Sequence, residues 1–187
     1  SLATARRHGF DYVQLNMSWH PYDSSELEKL GDMLQKCELA CPLIGVYCNP
    51  LQPKEPSWFG TRIEEVRKLI PYMNEFGGEG IVIWSGSYSD ELMGEDARNH
   101  QEEAFENVSK QLKGLFDDLR RYDVKILIEP WLTHVTSEPE SLLGLCQQCP
   151  EVLGCVFDVP NMIRPDQWNS QDVFIPAASQ RLQNVVG

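Results

Sequence analysis

The chain has 187 residues, enough for one domain at roughly 150 residues apiece and too few for two. Sixteen Lys and Arg stand against 28 Asp and Glu, and the net charge of −12 would repel a phosphate backbone, which argues against a nucleic-acid partner. With 42% hydrophobic and 10% aromatic residues the chain can bury a core, so it is no disordered acidic tail, and its longest apolar runs, such as Ile81 to Trp84, are far too short to span a membrane.

Taken in chain order, Ser1 to Arg7 carry no start Met and no basic flank ahead of an apolar run, and resemble neither a signal peptide nor a natural beginning. Tyr12 to Leu15 is the first strand candidate, with Asn16 at its end and Trp19 and His20 in the loop beyond. Ser25-x-x-Glu28 reads as a capping box for a helix whose Leu27, Leu30, Leu34 and Cys37 fall on one stripe. Leu43 to Cys48 is the second strand, followed by Asn49 and a Pro-rich stretch to Pro56. Thr61-x-x-Glu64 opens the next helix, which Pro71 should kink and Gly77-Gly78 should end.

Gly80 to Trp84 is the third strand, and a polar stretch from Ser85 through Ser87 to Arg98 follows it. Gln101 to Tyr122 is predicted as a single long helix with Phe105, Val108, Leu112, Leu115, Leu119 and Tyr122 on its buried side. Lys125 to Ile128 is the fourth strand, ending in Glu129, and Ser137-x-x-Glu140 caps the helix after it. Gly154 to Phe157 is the fifth, ending in Asp158. Apolar runs alternating with helical periodicity indicate an α/β fold with a parallel sheet, covered on both faces. The six cysteines sit mostly in apolar runs, which suits buried thiols in a reducing, cytoplasmic compartment, and Cys146-x-x-Cys149 has no second pair at zinc-ribbon spacing.

Every strand candidate is followed by polar residues, and parallel α/β folds place their chemistry at that end. Glu129 and Asp158 stop consecutive strands. Neighbouring strands lie about 4.8 Å apart, close enough for two carboxylates to share a divalent cation. Either acid alone would serve as well for capping a helix or solvating a loop; it is the pair that points to a metal. Trp19, Trp84 and Trp131 could wall an apolar sugar face or simply fill core. Of the loop histidines His20, His100 and His134, the last is best placed, in the same loop as Glu129.

Three segments, Phe10 to Leu15, Tyr122 to Pro130 and Val156 to Asn161, resemble the xylose-isomerase-like barrels grouped as sugar phosphate isomerases and epimerases, and the likeness covers nearly the whole chain. The resemblance implies a (β/α)8 TIM barrel holding a divalent ion, manganese, magnesium or similar, through a Glu, an Asp, a His and a second Glu on successive strands. Glu129 and Asp158 match the first two. In the ketose 3-epimerases of this group the first Glu and the last Glu also exchange the substrate proton. Two positions depart: Asn161 stands where the family often has a substrate-contacting His, and Asn16 where many members have an acid. By strand order the chain begins in the helix before the second barrel strand and stops before the seventh, so residues 1–187 are expected to form one incomplete barrel of about five to six βα units.

The expected activity of the full-length protein is metal-dependent isomerisation or epimerisation of a small sugar or sugar phosphate through an enediolate. Glu129 would be ligand and base, Asp158 a ligand, and Asn161, Trp131, His134 and Trp84 the substrate contacts. A keto-inositol dehydratase of the same barrel group and a non-catalytic sugar-binding or scaffold domain are the rival readings. An abasic-site endonuclease, a relative in the same fold, is disfavoured by the charge. The partner expected is a small-molecule sugar, with neither nucleic acid nor membrane, and homo-oligomerisation is left open. This chain alone, lacking half the metal ligands, is expected to be inactive.

Overall fold

The computed structural model describes residues 1–18, 23–51 and 62–186. Five parallel strands follow one another in sequence order: β1 (Leu15–Asn16), β2 (Leu43–Gly45), β3 (Gly80–Trp84), β4 (Lys125–Glu129) and β5 (Leu153–Cys155). Helices α1 (Leu2–Arg7), α2 (Ser24–Lys36), α3 (Ile63–Leu69), α4 (Glu102–Lys113), α5 (Phe116–Tyr122), α6 (Pro139–Cys146) and α7 (Gln171–Leu182) run before, between and after them. Each crossover returns the chain to the same end of the sheet beside the strand it has just left, so the sheet is the wall of an incomplete TIM barrel. Among the described residues no helix is long and apolar enough to cross a membrane.

Alternation along the strands divides the sheet into two faces. Ile44, Val46, Ile81, Ile83, Ile126 and Ile128 are fully buried and join the core that also holds Leu34, Leu69, Leu112 and Leu145 from the helices. The alternate positions, Gly45, Val82 and Leu127, form the opposite, interior face, and Tyr47, Trp84 and Glu129 continue it at the carboxyl ends.

Several expected boundaries move, each for a local reason. The first strand pairs only at Leu15–Asn16, with Tyr12 held to Ala40 by an isolated bridge. The second stops at Gly45, although Val46 still donates to Val82, because Cys48 N turns back onto Val46 O at 2.7 Å. The fifth stops at Cys155, beyond which Asp158 N closes a turn on Val156 O.

The predicted long helix is two helices. Arg67 Nη2 donates to Gly114 O at 2.6 Å, between α4 and α5, and draws that carbonyl out of the helical ladder. Its buried positions are as expected from Val108 to Leu119, with Phe105 and Tyr122 half-buried. Helix α3 ends at Leu69 in a 3-10 turn, Ile70–Tyr72, where Pro71 can supply no amide, and Gly77, at φ +68, terminates the segment before β3.

The caps shift as well. Asp23, not Ser25, caps α2: its Oδ1 accepts from Glu26 N while Glu26 Oε2 accepts from Asp23 N. At α6 the pair is Glu138 and Ser141 rather than Ser137 and Glu140. Thr61, Trp19 and His20 lie outside the described residues. All six cysteines are free thiols, Cys146 and Cys149 among them.

Candidate active site at the carboxyl ends of the strands

Glu129 is the last residue of β4, in register with Trp84 at the end of β3. Both its carboxylate oxygens are engaged. Tyr47 OH donates to Oε2 at 2.9 Å and Asn161 Nδ2 donates to Oε1 at 3.1 Å. Tyr47 can lie over the sheet because Gly45, its neighbour on the same face, has no side chain; a Cβ there would come within 3.2 Å of the Tyr47 ring.

Asn161 reaches Glu129 from a 3-10 turn, Val159–Asn161, that opens at Asp158, and Asn161 N donates to Asp158 O at 3.2 Å. The carboxylate of Asp158 caps no amide of this turn. Among the described residues neither it nor Glu129 forms a salt bridge.

The charges of the site oppose one another. Burial pushes the Glu129 carboxyl up from the ordinary range; the bond from Tyr47 pulls it down, the nearby Asp158 charge raises it again, and Asn161 lowers it, with a net rise. Burial likewise raises the Tyr47 phenol, helped by the charges of Glu129 and Asp158, so it remains a proton donor. Two acids therefore bear on one small region. Among the described residues no three His, Cys, Asp or Glu side chains converge there or elsewhere as a complete metal shell would require.

An aromatic group flanks the acids. The rings of Tyr47 and Trp84 are 4.5 Å apart, those of Trp84 and Trp131 6.0 Å, and His134 meets Trp84 edge-on at 5.5 Å. Trp131 is half-buried. His134 is fully buried against both tryptophans, its ring 6.5 Å from that of Trp131, with Nε2 at 3.3 Å from Leu92 O. Burial lowers its pKa to about 4, so the ring is neutral at physiological pH. His100 is exposed.

Other polar residues at the strand ends tie the loops together instead of facing the acids. Ser85 Oγ accepts from Thr136 N at 3.0 Å and bonds Thr136 Oγ1 at 2.9 Å. Asn49 Oδ1 accepts from the amides of Leu51 and Ser87, and its Nδ2 donates to Ser87 O. Asn99, buried in the loop after β3, donates to Ser87 Oγ and Thr133 O and accepts from Tyr88 N. Asn16 is exposed, its Oδ1 bonded to Ser18 N.

Tyr47 was not anticipated as a site residue. The signal for it is Gly45-x-Tyr47 near the end of a strand candidate, a bare position followed two residues later, on the same face, by a large polar-tipped ring.

A model of the xylose isomerase-like TIM barrel family matches residues 2–185. Solved structures share the fold at low identity. One is 3-keto-D-glucoside 4-epimerase from E. coli, with 15% identity, a TM-score of 0.68, and 100% of this chain covering 72% of that one. A xylose isomerase-like TIM barrel protein from Mycobacterium smegmatis, in complex with magnesium, has 14% identity and a TM-score of 0.69, with 97% of this chain covering 61% of that one. D-psicose 3-epimerase, in the presence of D-fructose, has 11% identity and a TM-score of 0.69, with 100% of this chain covering 64% of that one. The chain thus spans 61% to 72% of the length of these relatives. No curated protein matches its sequence significantly.

Proposed function

The chain belongs to the xylose isomerase-like TIM barrel family, and from that premise we propose that the whole protein is a divalent-metal-dependent isomerase or epimerase of a small sugar or sugar phosphate. The observation that carries the reading is the Glu129 carboxylate, oriented by two donors, raised in proton affinity and set beside Asp158, with no salt bridge to either among the described residues.

The donor set suits a hard cation. Carboxylate oxygens are the ligands that magnesium and manganese prefer, and each has two lone-pair directions, so Glu129 can keep its bonds to Tyr47 and Asn161 and still offer one to an ion. Glu129 and Asp158 would supply part of the shell. When bound, the ion would act as a Lewis acid toward neighbouring sugar oxygens.

The remaining roles belong to the chain's own residues. Glu129 takes the proton from the carbon next to the sugar carbonyl, and a second acid that delivers a proton to the opposite face of that carbon completes the inversion; burial and the Asp158 charge make Glu129 a better base than an exposed carboxylate would be. Tyr47 and Asn161 hold that carboxylate in one orientation. Asn161 can bond a sugar hydroxyl but cannot carry a proton near neutral pH. Trp131, half-buried, receives the apolar face of the sugar, and the buried Trp84 packs beside it to complete that wall. His134, neutral and edge-on to Trp84, packs against that wall.

Calorimetric titration of the full-length protein with manganese tests the reading. Both Glu129→Gln and Asp158→Asn should weaken binding by at least about tenfold. Affinity equal to the wild type in both variants would overturn it. NMR of the products separates epimerisation from a dehydratase, which would release water, and from a binding domain, which would turn nothing over.

A further inference from the structure

The loop after β4 serves a second place on the same rim. Beyond Trp131 and His134 it passes through Ser137 into α6, and there a cleft of about 320 Å³ opens between the N-terminus of α6 and that of α4. This lies within the range of roughly 300–1,000 Å³ of small-molecule sites. Ser137 lines it at 4% exposure, and among the described residues no hydrogen bond reaches its hydroxyl. Its oxygen stays accessible within the cleft, open to donate to or accept from a group that enters from outside the chain. The first turn of α4 adds open donors, because Gln101, its N-cap, makes no side-chain bond to it.

The charges decide the class of ligand. Glu102 and Glu138 place two carboxylates on the walls against the guanidinium of Arg164, which reaches Glu138 Oε1 at 3.6 Å. An oxyanion drawn to the helix ends would meet both acids, and a cation would meet Arg164. A hydroxyl both donates and accepts, so it satisfies acids, guanidinium, Gln101 amide and Ser137 alike. Phe105, half-buried, adds a ring face for C–H groups.

We propose that this cleft between the N-termini of α4 and α6 is a binding subsite for a neutral sugar ring, with Ser137 and Arg164 as its polar anchors and Phe105 as its platform. It stands independently of the carboxylates at Glu129 and Asp158.

The test is an amide NMR titration of the isotope-labelled full-length protein with methyl α-D-glucopyranoside, and in parallel with inorganic phosphate. The sugar should shift the amides of residues 101–105 and 135–138 saturably. Ser137→Val should weaken that binding about tenfold, and Arg164→Gln, an exposed change that leaves the core untouched, by a similar factor. Glu129→Gln should leave it unchanged. The proposal is overturned if the sugar gives no saturable shift at these amides, if phosphate shifts them and the sugar does not, if neither Ser137→Val nor Arg164→Gln weakens binding, or if Glu129→Gln abolishes it. The last result would place the sugar at the carboxylates, whereas loss of manganese binding there would leave this cleft unaffected.

Discussion

Tyr47 and Glu129 belong to segments on either side of β3, yet the phenol of one donates to the carboxylate of the other at 2.9 Å, with the ring of Trp84 on β3 packed against the tyrosine at 4.5 Å and tilted by 31°. Three neighbouring strands are thus joined at their carboxyl ends by one hydrogen bond and one ring contact. The bond holds the proposed base in place and opposes the rise in its proton affinity.

Tyr47→Phe removes the donor and keeps the ring. The carboxylate loses a stabilising bond, so the Glu129 carboxyl should titrate at higher pH than in the wild type, as followed by carbon NMR of the full-length protein in chelator. Unfolding free energy should fall by about 1 kcal/mol. A titration that stays put or moves down would show that the bond does not bear on Glu129.

Glu129→Gln should cost activity and add stability. The folded-state pKa of Glu129 is raised, so the fold favours the protonated acid and is penalised as pH rises through that value. A neutral amide escapes both the burial cost and the repulsion from Asp158. In chelator at pH 8 the variant should be more stable by about 1 kcal/mol, with the gain vanishing at acidic pH, and its turnover should fall by at least about 100-fold. Thermal scans at both pH values check the sign; a variant that gains nothing at pH 8 would contradict the burial and repulsion assigned to the Glu129 charge.

His134 works in the opposite sense. Its pKa falls from 6.5 to about 4 on burial, so the unfolded chain takes up a proton that the fold refuses, and stability drops as pH falls from 6.5 toward 4. The loss at pH 5 should be about 2 kcal/mol. Relative to His134→Gln, which does not titrate, the wild type should lose this margin between pH 7.5 and pH 5 in urea unfolding. Parallel pH profiles for the two proteins would remove His134 as the cause.

Gly86→Ala should be far costlier than Gly9→Ala. Both glycines have positive φ, +91 and +82, but a Cβ at Gly86 would lie 2.3 Å from Asn49 Oδ1, whereas nothing stands within 4 Å of one at Gly9. The backbone term alone is about 1 kcal/mol; the clash, in a loop laced by Asn49, should bring the total to about 3 kcal/mol. Equal costs in denaturant unfolding would mean that the loop yields freely.

Local rules carried much of this molecule. The order of the strands, the buried stripe from Val108 to Leu119 and the break at Pro71 follow from side-chain periodicity and from the missing proline amide, neither of which needs a partner distant in the chain. So does the position of Glu129, since an acid cannot continue a buried run and so marks the end of a strand. The split at Gly114 was hidden, because the group that takes its carbonyl, Arg67, comes from another helix.

The same divide runs through the site. From the residues alone, Asn49, Ser85 and Ser87 were strand-end polar groups of the same standing as Glu129, and the sequence does not tell that their bonds are spent on neighbouring loops. Nor does it tell that Tyr47 and Asn161 converge on one carboxylate, or that His134 is fully buried edge-on to Trp84. Composition and periodicity determine which residues are buried and where each strand ends. Which polar group meets which across three strands depends on sheet register and on the space left by residues such as Gly45, and those are set only when the segments pack.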